Sequence, residues 1–484
     1  MKGVATLADI ELMEEIPLDT RDLPTNTYAA LQRGANKKPD KIALQFFLQG
    51  TNYKDAVFYT YKDLMALITQ TANMFHALGI GKGDVVSMIL PNLPQAYFTI
   101  WGGQAAGIVN PIDPLLDAQV MANIMNAAGT KVLVTLAPFP ASNLWQKVAS
   151  IANQVPTLET ILKVDIGYYL GFFQRVGLGF LNLRADKGPK LAAKVQDFGL
   201  TARQHSGEKL AYGRIIRPDD MAAYFHTGGT ANTPKLAQHT HFNEVFAAWS
   251  LTMSIGLEAK NIVYCGLPLF HANSVIATGL VPWMQGASVV LGTPAGYRAD
   301  GVIPNFWGIV EHYGLNFFSG EPTIFSALLT VPHSEYDISS LQFALGSAAP
   351  MPVEVFNQFE ERTSARMLEG YALTEGACFS SVNPIEGERR VGSIGLRLPY
   401  QDMRVVVLAA DGRYERDCRP NEPGVIVVRG PNVFKGYLEE AHNQKVWINT
   451  GDGGGGWFNT GDKGWQDAEG YFWLSGTKEN VDDA

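Results

Sequence analysis

Cysteine is scarce in this chain: Cys265, Cys378 and Cys418 are the three it has in 484 residues. They are odd in number and widely separated, which excludes a disulfide framework or a zinc knuckle and fits a reducing compartment. Long apolar runs are missing as well. No eighteen consecutive residues are uninterruptedly apolar, so no membrane-spanning helix is expected. Residues 1–15 lack the basic-then-apolar order of a secretory signal, and the expected location is cytoplasmic. The formal net charge of −9 leaves no basic footprint for nucleic acid. There is no Gly-x-Ser-x-Gly elbow and no dinucleotide glycine fingerprint between a strand and a helix, which disfavours serine hydrolases and Rossmann oxidoreductases. His239 and His241 are closely spaced, but beside a helix start they make a weak metal pair.

What the chain does have is the stretch from His226 to Lys235, where glycines and threonine hydroxyls crowd together and end on one lysine. Glycine backbones let consecutive N–H groups face one concavity, and hydroxyls and an ammonium add donors, so such a run suits phosphate. Pro234 stands where the nucleoside-triphosphate loop would need glycine before its lysine. Taken alone, the stretch also reads as a polar hairpin between two strands.

A chain of this length divides into two or three subdomains. Apolar stretches at Val85–Leu90 and Lys131–Thr135 read as buried strands, close to helical periods such as Leu64–Leu78, and the alternation implies stacked α/β layers. Strands at Ala222–His226, Ile262–Gly266 and Ser288–Leu291 mark a second unit beginning near Asp219. From about Gly392, short strands at Met403–Leu408 and Gly424–Val428 suggest a small β-rich subdomain. The expected division is a leader over 1–40, a first α/β subdomain over 41–218 with an insertion near 165–200, a second over 219–391 and the β-rich part over 392–476. Residues 451–456 hold five glycines and are expected to form a mobile loop. Residues 168–183 are aromatic and apolar, with Arg184, Lys187, Lys190 and Lys194 behind them. That pattern allows peripheral membrane contact through 168–194, but an insertion packed on its own domain or on a partner subunit is the better reading.

Other segments extend the His226–Lys235 signal: Leu267-Pro-Leu-Phe-His271, Gly346-Ser-Ala-Ala-Pro350, Gly370-Tyr-Ala-Leu-Thr-Glu375, and Thr460-Gly-Asp462 followed by Asp467 and Gly470-Tyr471. Together with Tyr61–Leu64, Gly81–Asp84 and Pro91-Asn92, they resemble the adenylate-forming (AMP-binding) superfamily in order and spacing over roughly residues 40–479. The resemblance is to the acyl-CoA synthetase branch. It implies stacked α/β layers, two related α/β subdomains plus a small β-barrel-like subdomain, of the acyl-CoA synthetase N-terminal domain type.

The resemblance also implies chemistry: a carboxylic acid and ATP give acyl-adenylate and pyrophosphate, and the CoA thiol then gives acyl-CoA and AMP. Thr227, Gly228, Gly229, Thr230 and Lys235 would wrap the phosphates, although Gly228, Ala231 and Asn232 depart from the family pattern. Tyr371 would stack on adenine opposite Ser347, Ala348 and Ala349. Thr374 would donate to the α-phosphate and Glu375 would hold Mg²⁺. Glu369 would accept from the adenine amino group or stand as an exposed helix-end carboxylate. Asp462 is expected to hold the ribose in preference to Asp452 of the competing Thr450-Gly-Asp452. His271, Ala272, Asn273, Ser274 and Gly346 would begin the acyl pocket, its tail running behind Gly346. No cation in His271–Ser274 answers a second carboxylate, which points to a medium or long fatty acid.

Thr477 stands where the family has arginine, and residues 477–484 read as a truncated hinge without the C-terminal domain that carries a catalytic lysine, so very low activity is expected. Transfer to a carrier protein instead of CoA, a non-catalytic nucleotide- or acyl-binding role, and oligomer formation stay open.

Overall fold

A computed structural model describes residues 3–171, 189–227, 234–346 and 351–476. The first sheet runs Lys194–Asp197, Thr160–Val164, Thr130–Leu136, Val85–Ile89, Ile108–Pro111, Met221–Thr227 and Lys235–Thr240. Its strands are parallel except the last pair, Met221–Thr227 with Lys235–Thr240, which is an antiparallel hairpin. All five residues of Val85–Ile89 are buried, as expected for a parallel strand covered on both faces.

The second sheet begins as a parallel array of Ile42–Phe47, Ser288–Leu291, Ile262–Cys265, Phe317–Gly320, Phe343–Gly346 and Arg366–Leu373, with Ala56–Thr60 antiparallel at its edge. It continues antiparallel through Cys378–Val382, Ser393–Arg397, Phe472–Gly476, Trp457–Gln466, Gly424–Arg429, Asp402–Leu408 and Tyr414–Asp417. The β-rich part is therefore an extension of this sheet.

The sheets do not divide at Asp219. Val109 pairs with Ala223, which places Met221–Thr227 on the first sheet. Leu44 pairs with Val289, which places Ile42–Phe47 on the second. Uniformly apolar parallel strands carry no mark of which sheet they join, so sequence order misassigned them.

Helices fill the space between the sheets. Pro94–Ala106 contacts the first and Val281–Gln285 the second, and Tyr97 meets Trp283 edge-on at 4.6 Å. A helix apolar all round must be covered all round. The helix Leu7–Glu14 docks on the β-rich part, where Glu14 binds Arg397 through bonds of 2.5 and 2.7 Å. Within residues 451–456, expected to form a mobile loop, Asp452 accepts from Arg429 at 3.0 and 3.1 Å. Residues 172–188 of the expected insertion lie outside the described residues; beyond them Lys194–Asp197 returns as a strand beside Thr160–Val164. Among the described residues no helix is long and apolar enough to cross a membrane.

His241 begins the buried helix His241–Ile255 and is 0% exposed. Burial and then the Arg214 guanidinium push its pKa from 6.5 down to about 3, against partial relief from Asp220. The unfolded ring takes up a proton below its ordinary pKa while the folded ring stays neutral, so stability is full above that value and falls with pH. Scanning fluorimetry should show a loss between pH 6.5 and 4, with His241 contributing about 3 kcal/mol. In His241→Gln that part of the slope should vanish; identical pH profiles for variant and parent would sink the assignment.

Candidate active site

The phosphate-type stretch begins and ends on two antiparallel strands at the edge of the first sheet, where Thr227 pairs with Lys235. Gly228, Gly229 and Thr230 lie outside the described residues, as do Ala231 and Asn232. The Lys235 ammonium sits 5.0 Å above the Tyr437 ring. The returning strand is stitched to the β-rich part by Gln238 N–H to Gly436 O at 3.1 Å, Lys435 N–H to Gln238 O at 3.0 Å, and Leu438 N–H to Leu236 O at 2.8 Å.

Facing the hairpin, Arg366–Leu373 ends in the tight turn Thr374–Gly376. Each carbonyl of that turn has a partner. Thr374 O accepts from Ala377 N–H at 3.0 Å and His239 Nε2–H at 2.7 Å; Glu375 O accepts from Phe434 N–H at 2.8 Å; Gly376 O accepts from Asn432 Nδ2 at 3.0 Å. The Tyr437 hydroxyl donates to Glu375 Oε1 at 2.5 Å. Lys235, Tyr437, Glu375 and Thr374 thus form one continuous cluster.

Tyr371, two residues before the end of the strand, donates its hydroxyl to Asp462 Oδ2 at 2.5 Å. Burial raises the Asp462 carboxyl above its usual range, against the hydrogen bond from Tyr371, which lowers it. The Tyr371 ring is 8% exposed and packs with Ile394, Phe434 and Tyr437, so the contact it makes here is through its hydroxyl. Ser347, Ala348 and Ala349, expected opposite it, lie outside the described residues. Glu369 differs from both expectations. It is on a strand, 5% exposed, and its two oxygens accept from Met351 N–H at 3.3 Å and Gly392 N–H at 2.8 Å. A carboxylate so placed ties chain segments together and is not an exposed helix-end charge.

The competing aspartates are separated by their partners. Asp452 faces Arg429 and Trp457, with Arg404 at 3.5 Å. Asp462 shares the cluster that leads to Thr374.

On the other side of Thr374 is a cleft of about 160 Å³, lined by His271, Ala272, Asn273, Ser274, Ala372 and Cys378 among others. Burial pushes the Cys378 thiol up to about 12, so it packs as a small neutral group. Leu267, Pro268 and Glu321 are common to this cleft and to a cavity of about 1250 Å³. The larger cavity opens at the C-terminal ends of strands from both sheets, lined by Leu90–Asn92, Leu115, Phe139, Leu144, Phe270, Tyr297 and Ile324. Gly346 lines neither. A methyl group added there would lie 2.9 Å from Met351 Cε, the far end of a flexible side chain. His226 Nε2 accepts from Asp113 N–H at 3.2 Å, and desolvation, with His271 nearby, pushes its pKa down to about 4.

Tyr437, Asn432 and His239 were not picked out from sequence as site residues. Tyr437 reaches Glu375 from 62 residues away, and no local spacing announces such a contact.

The chain is 32% identical over 484 residues to the marinolic acid–CoA ligase of Pseudoalteromonas sp. (strain SANK 73390), covering 99% of this chain and 69% of that protein. It is 29% identical over 493 residues to the long-chain-fatty-acid–CoA ligase of Bacillus subtilis (strain 168), covering 97% and 79%. In fold it resembles an anthranilate CoA ligase in complex with anthranoyl-AMP, with a TM-score of 0.77 at 21% identity over 95% of this chain and 78% of that one. ATP-bound MatB from Rhodopseudomonas palustris gives 0.75 at 21% identity, over 93% and 79%. The model of the AMP-binding enzyme family matches residues 31–438, which contain the hairpin, the Thr374 turn and Tyr437, and the chain belongs to that family.

Proposed function

We propose that this protein is an ATP-dependent, AMP-forming acid–CoA ligase whose substrate is a monocarboxylic acid with a long apolar body, a fatty acid being the reference case, and that it works in the cytoplasm. The observation that carries the reading is the contact chain from Lys235 through Tyr437 to Glu375 and Thr374, with Thr374 lining a cleft that shares Leu267, Pro268 and Glu321 with a larger, mostly apolar cavity. Activation needs no enzyme nucleophile: the acid's carboxylate attacks the α-phosphorus, pyrophosphate leaves, and the CoA thiol then displaces AMP from the acyl carbon. Positioning and preorganised charge are what such a sequence of displacements requires.

In this reading Thr227 and Lys235 neutralise the outer phosphates, and Thr374 meets the α-phosphate. Asp462 accepts from the ribose hydroxyls, with Tyr371 holding it. Glu375 suits Mg²⁺, a hard cation that takes oxygen ligands, since Tyr437 occupies one carboxylate oxygen and orients the other. When bound, the cation would neutralise phosphate charge. The carboxylate of the acid sits beside His271–Ser274, and its body passes Leu267 and Pro268 into the larger cavity. A volume of about 1250 Å³ supports a bulky or long acid.

Asp462→Ala should weaken nucleotide binding by about 1.5 to 3 kcal/mol, the range for hydrogen bonds to a charged group, and Asp452→Ala should change it little. Calorimetry with ATP separates the two, and an exchange of phenotypes would move the ribose site to the glycine-rich loop. Thr374→Val should cost an acyl-adenylate mimic about tenfold in affinity by removing one donor to a charged group, with adenosine unaffected. Equal loss for both ligands would remove Thr374 from the phosphate.

Ile324→Trp should narrow the larger cavity. In competition binding against acids of increasing length, the longest accepted acid should become shorter while ATP affinity stays within about twofold, because added volume blocks a tail and touches no phosphate. An unchanged length profile would place the acid's body elsewhere.

A further inference from the structure

Beneath the Thr374 turn are two ionisable side chains that the proposed reaction does not use. His239 and Glu244 are each 0% exposed. His239 is on the strand Lys235–Thr240 and Glu244 is in the first turn of the helix His241–Ile255. Thr240 and Asn243 cap that helix reciprocally, at 2.8 and 3.1 Å, which fixes the angle between strand and helix. As a result His239 Nδ1 lies 3.4 Å from Glu244 Oε1. The other Glu244 oxygen accepts from Gln104 Nε2 at 2.8 Å, and Gln104 Oε1 accepts from the Thr27 hydroxyl at 2.7 Å. At its other end the line meets the reaction site, where His239 Nε2 donates to the carbonyl of Thr374 at 2.7 Å. A carbonyl can only accept, so this contact fixes the proton on Nε2.

Stability is a poor reason for such a pair. Desolvating two ionisable groups costs several kcal/mol, and apolar residues of similar volume in their place are often neutral or stabilising. Hydrogen bonds run from the helix Thr27–Lys37 through the helix Pro94–Ala106 to Glu244, and from His239 to one backbone atom of the turn; between them His239 Nδ1 and Glu244 Oε1 face each other at 3.4 Å without a hydrogen bond. That atom belongs to the residue proposed to meet the α-phosphate.

We infer that the His239–Glu244 pair, backed by Gln104, is a positioning device: by holding the Thr374 carbonyl it sets the turn in the orientation that receives an acyl-adenylate. This inference rests on the proposed role of Thr374. Removing the imidazole frees the carbonyl, and the turn can relax away from the phosphate while the adenosine contacts around Asp462 stay in place.

The test compares His239→Leu, His239→Gln and the double variant His239→Leu/Glu244→Leu with the parent, using Thr374→Val as a control. Calorimetry measures affinity for an acyl-sulfamoyladenosine, a stable acyl-adenylate mimic, and for adenosine; thermal unfolding is followed in parallel. His239→Leu should lower the melting temperature and weaken the mimic about tenfold, about 1.4 kcal/mol, with adenosine within about twofold. His239→Gln, whose amide can donate to the same carbonyl, should recover most of the mimic's affinity. The double apolar variant should recover the melting temperature and leave the mimic weak, a separation that a packing role would not produce. Recovery of both quantities in the double variant, or parental affinity in His239→Leu, overturns the inference. If Thr374→Val weakens the mimic and His239→Leu does not, the inference falls alone; if neither weakens it, the reading of Thr374 falls as well.

Discussion

The site depends on the register of one strand. Arg366–Leu373 pairs parallel with Phe343–Gly346 through Arg366 to Glu369, then antiparallel with Cys378–Val382 through Gly370 to Leu373. A strand paired with two partners in opposite senses cannot slide along either, because a slip of one residue would turn every side chain to the wrong face. Glu369 stands at the change of partner, bound to backbone amides on both sides of the strand. A register shift at Tyr371 and Ala372 follows directly, re-aiming the strand end as bulges beside functional sites do. Tyr371, Thr374 and Glu375 inherit their places from this anchoring.

Around that strand, the architecture spends its hydrogen bonds on keeping a short turn still. The partners of its carbonyls come from the first sheet's last strand and from two residues of the 430–438 segment. The same segment is stitched to the hairpin that carries Lys235, so the first sheet and the β-rich extension meet at the place where phosphate chemistry is proposed. Displacement at phosphorus needs fixed donors more than reactive side chains, and a turn tied on all sides lowers the reorganisation required when charge shifts.

Local features were legible in the sequence because their causes are local. The helical period Leu64–Leu78 falls on the helix Tyr61–Ala77, and the helix start read beside His239 and His241 is that of His241–Ile255. The folded chain gives the aspartates of the two identical Thr-Gly-Asp tripeptides different partners. What escaped was decided by distance in space. Ile42–Phe47 falls within the stretch expected as the first unit but pairs with Ser288–Leu291, and nothing in its own residues could say so. Glu369 looked like a polar residue near a nucleotide, whereas its burial and amide partners are tertiary facts. His239 reads as one of two histidines beside a helix start; its bond to Thr374, and that of its neighbour Glu244 to Gln104, join residues more than a hundred positions away on opposite sides in sequence.

The phenol of Tyr437 has an aspect of its own. Its ring face carries the Lys235 ammonium and its hydroxyl carries the Glu375 carboxylate, so one rigid aromatic body stands between opposite charges. Without it, lysine and glutamate could collapse into an ion pair and cancel each other's field. With it, each charge is held by a neutral partner instead of by the opposite charge. Tyr437 is in this sense an insulator, keeping a charged site from discharging onto itself while it waits.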